Sequence, residues 1–396
     1  MFPPRTPAHV QRAHKSILHI YEFLAKYERW TAARGETGCD FALGNPQTMP
    51  PDAFVSALRD ATTPRDKAWY AYKTNEGSSR EVVRASLHKV TGLDYPPENI
   101  FLTNGATGAL LVTMNALIGP DDEVLYNSPP WFFYEGMVWN SGGTPIAVDV
   151  DRDTFDLDVG AIERAINERT RFVIVNSPNN PTGKVYSPDT LTNLGKVLEG
   201  ASRKIGRPIY LVSDEAYRAV LYDGAAFHSP TKYYRNSIMI YTYGKTLLTP
   251  GQRIGYIALS PQMDDLEELR TILYSSQILS GWAMTSALMQ HSLPDLEKIS
   301  IDVRALQERR DRFVTGLREC GYEVRMPEGA FYVTPKAPIE DDVRFSNLLA
   351  EEGVFCLPGS VVRMNGYFRA SVTASDDMVE RALPIFAAVR KKALKG

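Results

Sequence analysis

The sequence predicts an α/β protein in which a mainly parallel sheet lies between helices and is followed by a smaller α+β domain. Two observations lead to this class. From Asn99 to Leu259, short runs rich in β-branched and aromatic residues alternate with longer helix-like segments, as in parallel strands joined by crossover helices. After Leu259 the pattern changes to a long helical segment, short strand-like runs and a helical C-terminus, which indicates a second structural unit.

The predicted elements divide the chain into three parts. Residues 1–47 carry an amphipathic helix that cannot form a core alone, so we expect them to join the smaller domain or a subunit contact. Residues 48–290 form the larger domain, whose predicted elements are strand Ile100–Leu102, helix Thr107–Ile118, strands Glu123–Tyr126 and Phe172–Val175, helix Pro188–Ser202, and strands Ile209–Val212 and Ile238–Thr242. Residues 291–396 form the smaller domain, with helix Ser300–Glu319, strands Tyr322–Arg325 and Ala330–Val333, and helix Asp376–Lys392.

Composition and charge exclude several classes of function. Hydrophobic residues make up 44% and charged residues 23% of the 396 residues, as in folded globular proteins. Lys and Arg total 44 against 47 Asp and Glu, a formal net charge of −3, so the basic excess of a nucleic-acid-binding surface is missing. No apolar stretch approaches the ~20 residues that cross a bilayer, and no signal peptide is predicted. We expect neither nucleic acid nor a membrane as a partner.

The cysteines and histidines indicate neither a disulfide framework nor a metal site. Cys39, Cys320 and Cys356 lie far apart and form no CxxC pair, which fits a reducing cytoplasm. The six histidines show no HExxH or other paired spacing, so no metal ion is expected.

The lysine that follows the strand Ile238–Thr242 is the most informative single residue. Taken alone, Lys245 is explained as an ordinary surface lysine. Gly244-Lys245-Thr246 is also the last part of a phosphate-binding P-loop, but Met239 stands where that motif needs its first glycine. A further explanation is that the amine forms a Schiff base with a carbonyl cofactor such as pyridoxal phosphate.

A pyridoxal phosphate site also needs a carboxylate beside the pyridine nitrogen, because the protonated ring takes up the electrons of the carbanion. Asp214 follows the apolar run Pro208–Ser213, and ligands of such sheets bind at the carboxyl ends of the strands. A helix cap or a solvated turn is the simpler explanation when Asp214 is taken alone.

Two loops that follow predicted strands are rich in small residues and turn formers. Asn176–Gly183 is explained simply as a loop. Thr103–Gly108 joins a strand to an apolar helix, and a helix N-terminus of small residues exposes backbone N–H groups to an anion. Gly105 and Gly108 do not complete a dinucleotide-binding GxGxxG motif, so this turn suits a single phosphate.

With these segments in order, the chain resembles the class I/II aminotransferases, the aspartate-aminotransferase-like group of pyridoxal phosphate enzymes. The match runs from Phe41–Pro46 to Phe368–Ser371, and its most specific part is Lys245 followed eight residues later by Arg253. The resemblance implies the type I fold of these enzymes, with a seven-stranded, mainly parallel sheet in the large domain.

The resemblance also implies roles for the matching residues. Lys245 would bond covalently to the cofactor and, once released by substrate, would move a proton between the substrate Cα and the cofactor. Asp214 would pair with the pyridine nitrogen, while Tyr217 and Asn180 would hydrogen-bond the phenolate oxygen of the ring. The phosphate would be bound by Gly105, Ala106, Thr107, Thr242 and Arg253.

Other matching positions imply substrate contacts and a dimer. Arg369 would bind the substrate α-carboxylate, with Gly44 and Asn180 beside it. Trp131, which core packing alone would explain, would stack on the cofactor ring. Tyr72 would reach the phosphate bound by the neighbouring subunit, which implies a homodimer.

The chain departs from the aspartate-specific members at one point. Those members carry a partner-subunit arginine that binds the side-chain carboxylate, whereas Tyr274–Leu279 here contains no basic residue. We therefore expect a substrate other than a dicarboxylic amino acid. Trp282, together with Trp69 and Tyr70, predicts a bulky, aromatic-lined substrate space.

The function expected from this resemblance is a pyridoxal-phosphate-dependent aminotransferase that moves the amino group of an amino acid to a 2-oxo acid. The same residues would also serve elimination, cyclisation or oxidation of an amino acid in a specialised biosynthetic pathway, because binding residues do not fix the outcome. A catalytically silent cofactor-binding regulator would need a DNA-binding partner domain, and the sequence shows no such extension.

Overall fold

The computed structural model describes residues 6–395 and is built around one large sheet with helices on both faces. The strands are β1 (Cys39–Asp40), β2 (Ile100–Thr103), β3 (Glu123–Ser128), β4 (Thr144–Asp149), β5 (Thr170–Asn176), β6 (Tyr210–Asp214), β7 (Ser237–Thr242), β8 (Gly255–Leu259), β9 (Tyr332–Val333), β10 (Val354–Phe355), β11 (Leu357–Pro358) and β12 (Phe368–Ser371). The helices are α1 (Ala8–Ser16), α2 (Leu18–Arg34), α3 (Asp52–Ala61), α4 (Gly77–Thr91), α5 (Gly105–Leu117), α6 (Tyr134–Asn140), α7 (Val159–Ala165), α8 (Pro188–Ile205), α9 (Tyr243–Thr246), α10 (Leu266–Leu279), α11 (Ala287–Leu296), α12 (Val303–Glu319), α13 (Asp342–Glu351) and α14 (Asp376–Ala393).

The large sheet has seven strands in the order β2-β8-β7-β6-β5-β3-β4. Only β8 runs antiparallel to its neighbours, β2 and β7, while the other pairs are parallel. The predicted mainly parallel sheet between helices is therefore confirmed. Because parallel strands place their carboxyl ends at one edge, β5, β6 and β7 present their last residues side by side.

Both faces of this sheet are buried. Along β5, Val173 and Val175 belong to a core cluster with α8, whereas Phe172 and Ile174 belong to another cluster with α5. Successive side chains of a strand point to opposite faces, and a strand covered on both faces needs apolar residues at every position. This requirement explains the nearly continuous apolar run in β5.

A second core lies outside the large sheet. The rings of Phe41, Phe313, Phe368 and Phe386 pack together, covered by α12 and α14. Beside them lie the antiparallel sheet β11-β12-β9 and the parallel pair β1-β10. Strand β12 also carries Arg369, so this core supports one wall of the site described below.

The N-terminal segment forms two helices, α1 and α2, where the sequence predicted one. The break falls at Ile17, whose backbone is not helical. Helix α1 packs on α6, and a Cβ atom at Gly136 would lie 2.7 Å from Cγ2 of Ile17, so a glycine is needed for this approach. Helix α2 reaches the C-terminal part of the chain, where Trp30 Nε1 donates to the carbonyl of Ala350 at 3.0 Å.

The predicted strand Tyr322–Arg325 is wrong. This segment has no regular structure, because its backbone groups bond to other partners: the Arg318 guanidinium donates to the carbonyl of Val324. The run Ala330–Val333 is a strand only at Tyr332–Val333. Its first residue, Ala330, has φ +62°, and its N–H donates to the carbonyl of Val220 rather than to a strand.

The long predicted helices agree with the structure to within a few residues. Helix α12 begins at Val303 instead of Ser300, because the Asp302 side chain accepts the N–H of Ala305 and caps the helix there. Within residues 6–395, no helix is long and apolar enough to span a bilayer.

Candidate active site

Side chains from several strand ends meet in a cavity of about 230 Å³. Strands β5 and β6 end at Asn176 and Asp214, which are paired in the sheet, and β7 ends at Thr242. The opposite wall comes from β9 and β12. The predicted site residues that line this cavity are Gly44, Ala106, Thr107, Trp131, Asn180, Asp214, Tyr217, Thr242, Lys245, Arg253 and Arg369.

Lys245 lies directly after β7, in the short helix α9. The Thr242 hydroxyl accepts the N–H of Gly244 at 3.3 Å, so the chain turns as soon as the strand ends. The Lys245 amine lies 5.7 Å from the ring centroid of Tyr217 and lines the same cavity as Asp214. A primary amine held at this place can add to a carbonyl group.

The Asp214 carboxylate is buried and held by two donors. Its Oδ2 accepts a hydrogen bond from the Tyr134 hydroxyl at 2.5 Å, and its Oδ1 accepts one from the backbone N–H of Ala216 at 3.2 Å. Burial raises the pKa of Asp214, while these hydrogen bonds and the charge of Lys245 act to lower that pKa. The carboxylate therefore has a fixed orientation toward the cavity.

Tyr217 and Tyr332 form a buried pair of phenols beside Lys245. Their hydroxyl oxygens lie 3.1 Å apart. Burial raises the pKa of Tyr217 well above its ordinary value of 10.0. Burial acts in the same direction on Tyr332, but the charges of Lys245 and Arg369 outweigh it and lower the pKa of Tyr332. Tyr332 is thus the more acidic phenol of the pair.

Arg369 projects from β12 into the cavity and is 1% exposed. Its Nη1 donates to Oδ1 of Asn180 and its Nη2 donates to the carbonyl of Ala42, each at 2.9 Å. Nε is buried and has no hydrogen-bond partner among residues 6–395. Burial lowers the pKa of Arg369, and both acceptors are neutral. An unpaired donor on a buried guanidinium is costly and is well suited to a ligand carboxylate.

The N-terminus of α5 and Arg253 form the other end of the cavity. Gly105 begins the helix with φ +71°, and a Cβ atom there would lie 2.7 Å from Nη2 of Arg253. Ala106 and Thr107 line the cavity beside it. A helix N-terminus next to a guanidinium is a site for a phosphate group.

Comparisons with known proteins identify the family of the chain. The family described as aminotransferase class I and II matches residues 36–386. The chain belongs to the class I and II aminotransferases. A probable aspartate aminotransferase of Methanocaldococcus jannaschii is 31% identical over 87% of this chain and 92% of its own length. A probable aspartate/prephenate aminotransferase of Thermus aquaticus is 32% identical over 87% of this chain and 89% of its own.

Solved structures of aminotransferases have the same fold. An aminotransferase from Eubacterium rectale superposes with a TM-score of 0.91 and 30% identity, covering 98% of this chain and 99% of that one. The aspartate aminotransferase of Thermus thermophilus with maleate gives a TM-score of 0.83 at 27% identity, covering 98% of this chain and 100% of that one. The predicted family, its type I fold and the reaction class, amino transfer from an amino acid to a 2-oxo acid, are confirmed.

Three predicted site residues of this aminotransferase do not line the cavity: Gly105 lies behind Arg253, whereas Tyr72 and Trp282 are farther away. Tyr72 and Trp282 lie together on the surface with ring centroids 5.4 Å apart, and Tyr72 is 91% exposed. Tyr70 lines the same surface depression, whereas Trp69 stacks on His291 with ring centroids 3.6 Å apart. Within one chain, these aromatic residues are separate from Lys245.

Three polar residues of the site were not found from the sequence. Tyr134 binds Asp214, Tyr332 pairs with Tyr217, and the Asn176 side chain accepts the N–H of Asn180 at 2.7 Å. Asn176 ends β5, so the strand-end rule could have identified it. Tyr134 had no such signal, because it belongs to an aromatic run that core packing explains.

Proposed function

We propose that this aminotransferase binds pyridoxal phosphate through Lys245 and transfers the amino group of a neutral or aromatic amino acid to a 2-oxo acid. The observation that carries the proposal is that Lys245, Asp214 and Arg369 line one cavity. The Nε of Arg369 is buried there without a hydrogen-bond partner among the described residues. These three residues would supply the amine, the partner of the ring nitrogen and the substrate carboxylate site within one small volume.

The residues of the cavity fit each chemical part of the cofactor. Class I and II aminotransferases are pyridoxal phosphate enzymes. The phosphate suits the helix N-terminus at Gly105 together with Arg253, where a larger residue than glycine would crowd the guanidinium. The pyridine nitrogen suits Asp214, and the phenolate oxygen suits Tyr217, whose raised pKa keeps it a hydrogen-bond donor.

The cofactor, when bound, supplies an electron sink that stabilises negative charge at the substrate Cα. The chain's own residues bind and orient the reactants and move protons. Arg369 holds the α-carboxylate and thereby fixes the direction of the Cα–H bond. Lys245, as a free amine, takes the proton from Cα. Trp131 supports the flat face of the ring.

We infer the substrate class from the charges around the cavity. Among the described residues, the cations that line it are Lys245, Arg253 and Arg369, and each has one of the roles above. A second substrate carboxylate would have no further cation among these lining residues, and a buried unpaired carboxylate costs several kcal/mol. This proposal differs from the names of the relatives, which are aspartate and aspartate/prephenate aminotransferases.

Two further expectations concern the assembled protein. We propose a homodimer in which the exposed Tyr72 and Trp282 lie against the partner's cavity, because large exposed aromatic side chains mark interaction surfaces. We also keep a cytoplasmic location as a prediction from the unpaired cysteines.

A single-turnover screen tests the proposed function. The purified protein loaded with pyridoxal phosphate is mixed with one amino acid at a time, and the 2-oxo acid product is measured. We expect stoichiometric oxo acid from aromatic and neutral amino acids. Elimination products in place of the oxo acid would contradict amino transfer, and faster turnover of aspartate or glutamate would contradict the proposed substrate class.

A further inference from the structure

We propose that Tyr134 is a positioning residue that fixes two groups expected to hold the cofactor ring, the Asp214 carboxylate and the Trp131 indole. This inference rests on the proposed binding of pyridoxal phosphate. Tyr134 itself does not line the cavity, so it acts through its neighbours.

The hydroxyl of Tyr134 determines the orientation of Asp214. The two side chains are 1% and 5% exposed, and the hydrogen bond between them measures 2.5 Å. Oδ1 accepts from the backbone N–H of Ala216 and Oδ2 accepts from the Tyr134 hydroxyl. Rotation of the carboxylate would break these hydrogen bonds, which are strong because the acceptor is charged. The other titratable groups that face Asp214 are Lys245 and Tyr217.

The proton of this hydrogen bond stays on Tyr134. Burial raises the pKa of Tyr134 well above its ordinary value of 10.0, and the nearby Asp214 charge acts in the same direction. Tyr134 therefore remains a donor, and Asp214 remains the acceptor. Donation to the carboxylate favours its charged form against burial, and the charged form is the one that keeps a pyridine nitrogen protonated.

The ring of Tyr134 supports Trp131 at the same time. The two ring centroids lie 5.4 Å apart at an interplanar angle of 81°, an edge-to-face contact. The backbone N–H of Tyr134 donates to the carbonyl of Trp131 at 3.2 Å. Tyr134, at the start of α6, thus contacts both Asp214, expected beside the ring nitrogen, and Trp131, expected on the ring face.

The test separates the hydroxyl from the ring. The variant Tyr134→Phe removes only the hydroxyl, and Tyr134→Leu removes both. Tyr126→Phe is the matched control, because Tyr126 is equally buried and its ring lies 6.4 Å from that of Tyr134, but its hydroxyl donates to Glu135. Each variant is loaded with pyridoxal phosphate carrying nitrogen-15 in the ring.

We expect the nitrogen-15 resonance of Tyr134→Phe to move toward the unprotonated pyridine value, with Cα deprotonation about 10- to 100-fold slower. The circular dichroism of the bound cofactor should change in Tyr134→Leu only, and Tyr126→Phe should match the wild type throughout. A wild-type nitrogen-15 spectrum in Tyr134→Phe would overturn the inference while leaving the proposed function intact. If the wild-type protein binds no cofactor, both the inference and the proposed function are contradicted.

Discussion

The hydroxyl oxygens of Tyr217 and Tyr332 lie 3.1 Å apart, although 115 residues separate them in the chain. A phenol has one proton to donate, so Tyr217 can donate to a cofactor oxygen only if Tyr332 donates to Tyr217. Either oxygen can be the donor in this contact, and donation by Tyr332 is the direction that leaves the Tyr217 proton free for the cofactor. We therefore expect Tyr332 to orient the hydroxyl that Tyr217 offers to the cavity.

Removal of the Tyr332 hydroxyl is the first prediction. Tyr332→Phe keeps the ring, which lies 4.1 Å from the Arg369 guanidinium, and removes one neutral hydrogen bond worth about 1 kcal/mol. We expect a roughly 3- to 10-fold loss of kcat/KM, measured with a good amino donor. Tyr322→Phe is the control, because its hydroxyl donates to the Phe386 carbonyl, outside the cavity. Equal effects of the two substitutions on kcat/KM would reject the orienting role.

The second prediction concerns the carboxylate of Asp214. Asp214→Ala should leave cofactor bound through Lys245 and the phosphate site, but the unprotonated ring would be a weak electron sink. We expect Cα deprotonation to slow by roughly three orders of magnitude or more, each factor of ten being about 1.4 kcal/mol. Stopped-flow single-turnover measurements check this. A wild-type rate in the variant would refute the role of Asp214.

The third prediction distinguishes carboxylate binding from side-chain selection. Arg369→Ala should lower kcat/KM for every amino acid alike, by about 10- to 100-fold. All amino acids share the α-carboxylate that the charged guanidinium donors of Arg369 bind. Trp282→Ala should instead change the ranking among side chains. The measurement is kcat/KM for a panel of donors. Selective loss of one substrate in Arg369→Ala would contradict this assignment.

The fourth prediction is that Tyr72 serves the site of the partner subunit. A hybrid dimer of one Lys245→Ala chain and one Tyr72→Ala chain would then contain one site with both defects and one intact site. We expect mixing the two variants to restore activity, since an isologous dimer shares both sites between its subunits. If Tyr72 acted within its own chain, no hybrid site would be intact and activity would stay low.

The sequence located site residues best where they follow directly after a predicted strand. Lys245 and Asp214 could be located because each follows an apolar strand, and the spacing to Arg253 identified the family. Tyr332 could not be assigned a role this way, because its partners, Tyr217 and Arg369, meet it only in the folded chain. The predicted strand Tyr322–Arg325 failed because its carbonyl groups have other donors, the Arg318 guanidinium and the backbone N–H of Lys336.

The account depends most on Lys245 as the covalent attachment point of the cofactor. Borohydride reduction of the loaded protein, followed by peptide mapping, measures this directly, with Lys245→Ala as the control. We predict a reduced pyridoxyl group on the peptide that contains Lys245 and none in the variant. A pyridoxyl group on any other lysine, or no covalent cofactor in the wild-type protein, would contradict the account.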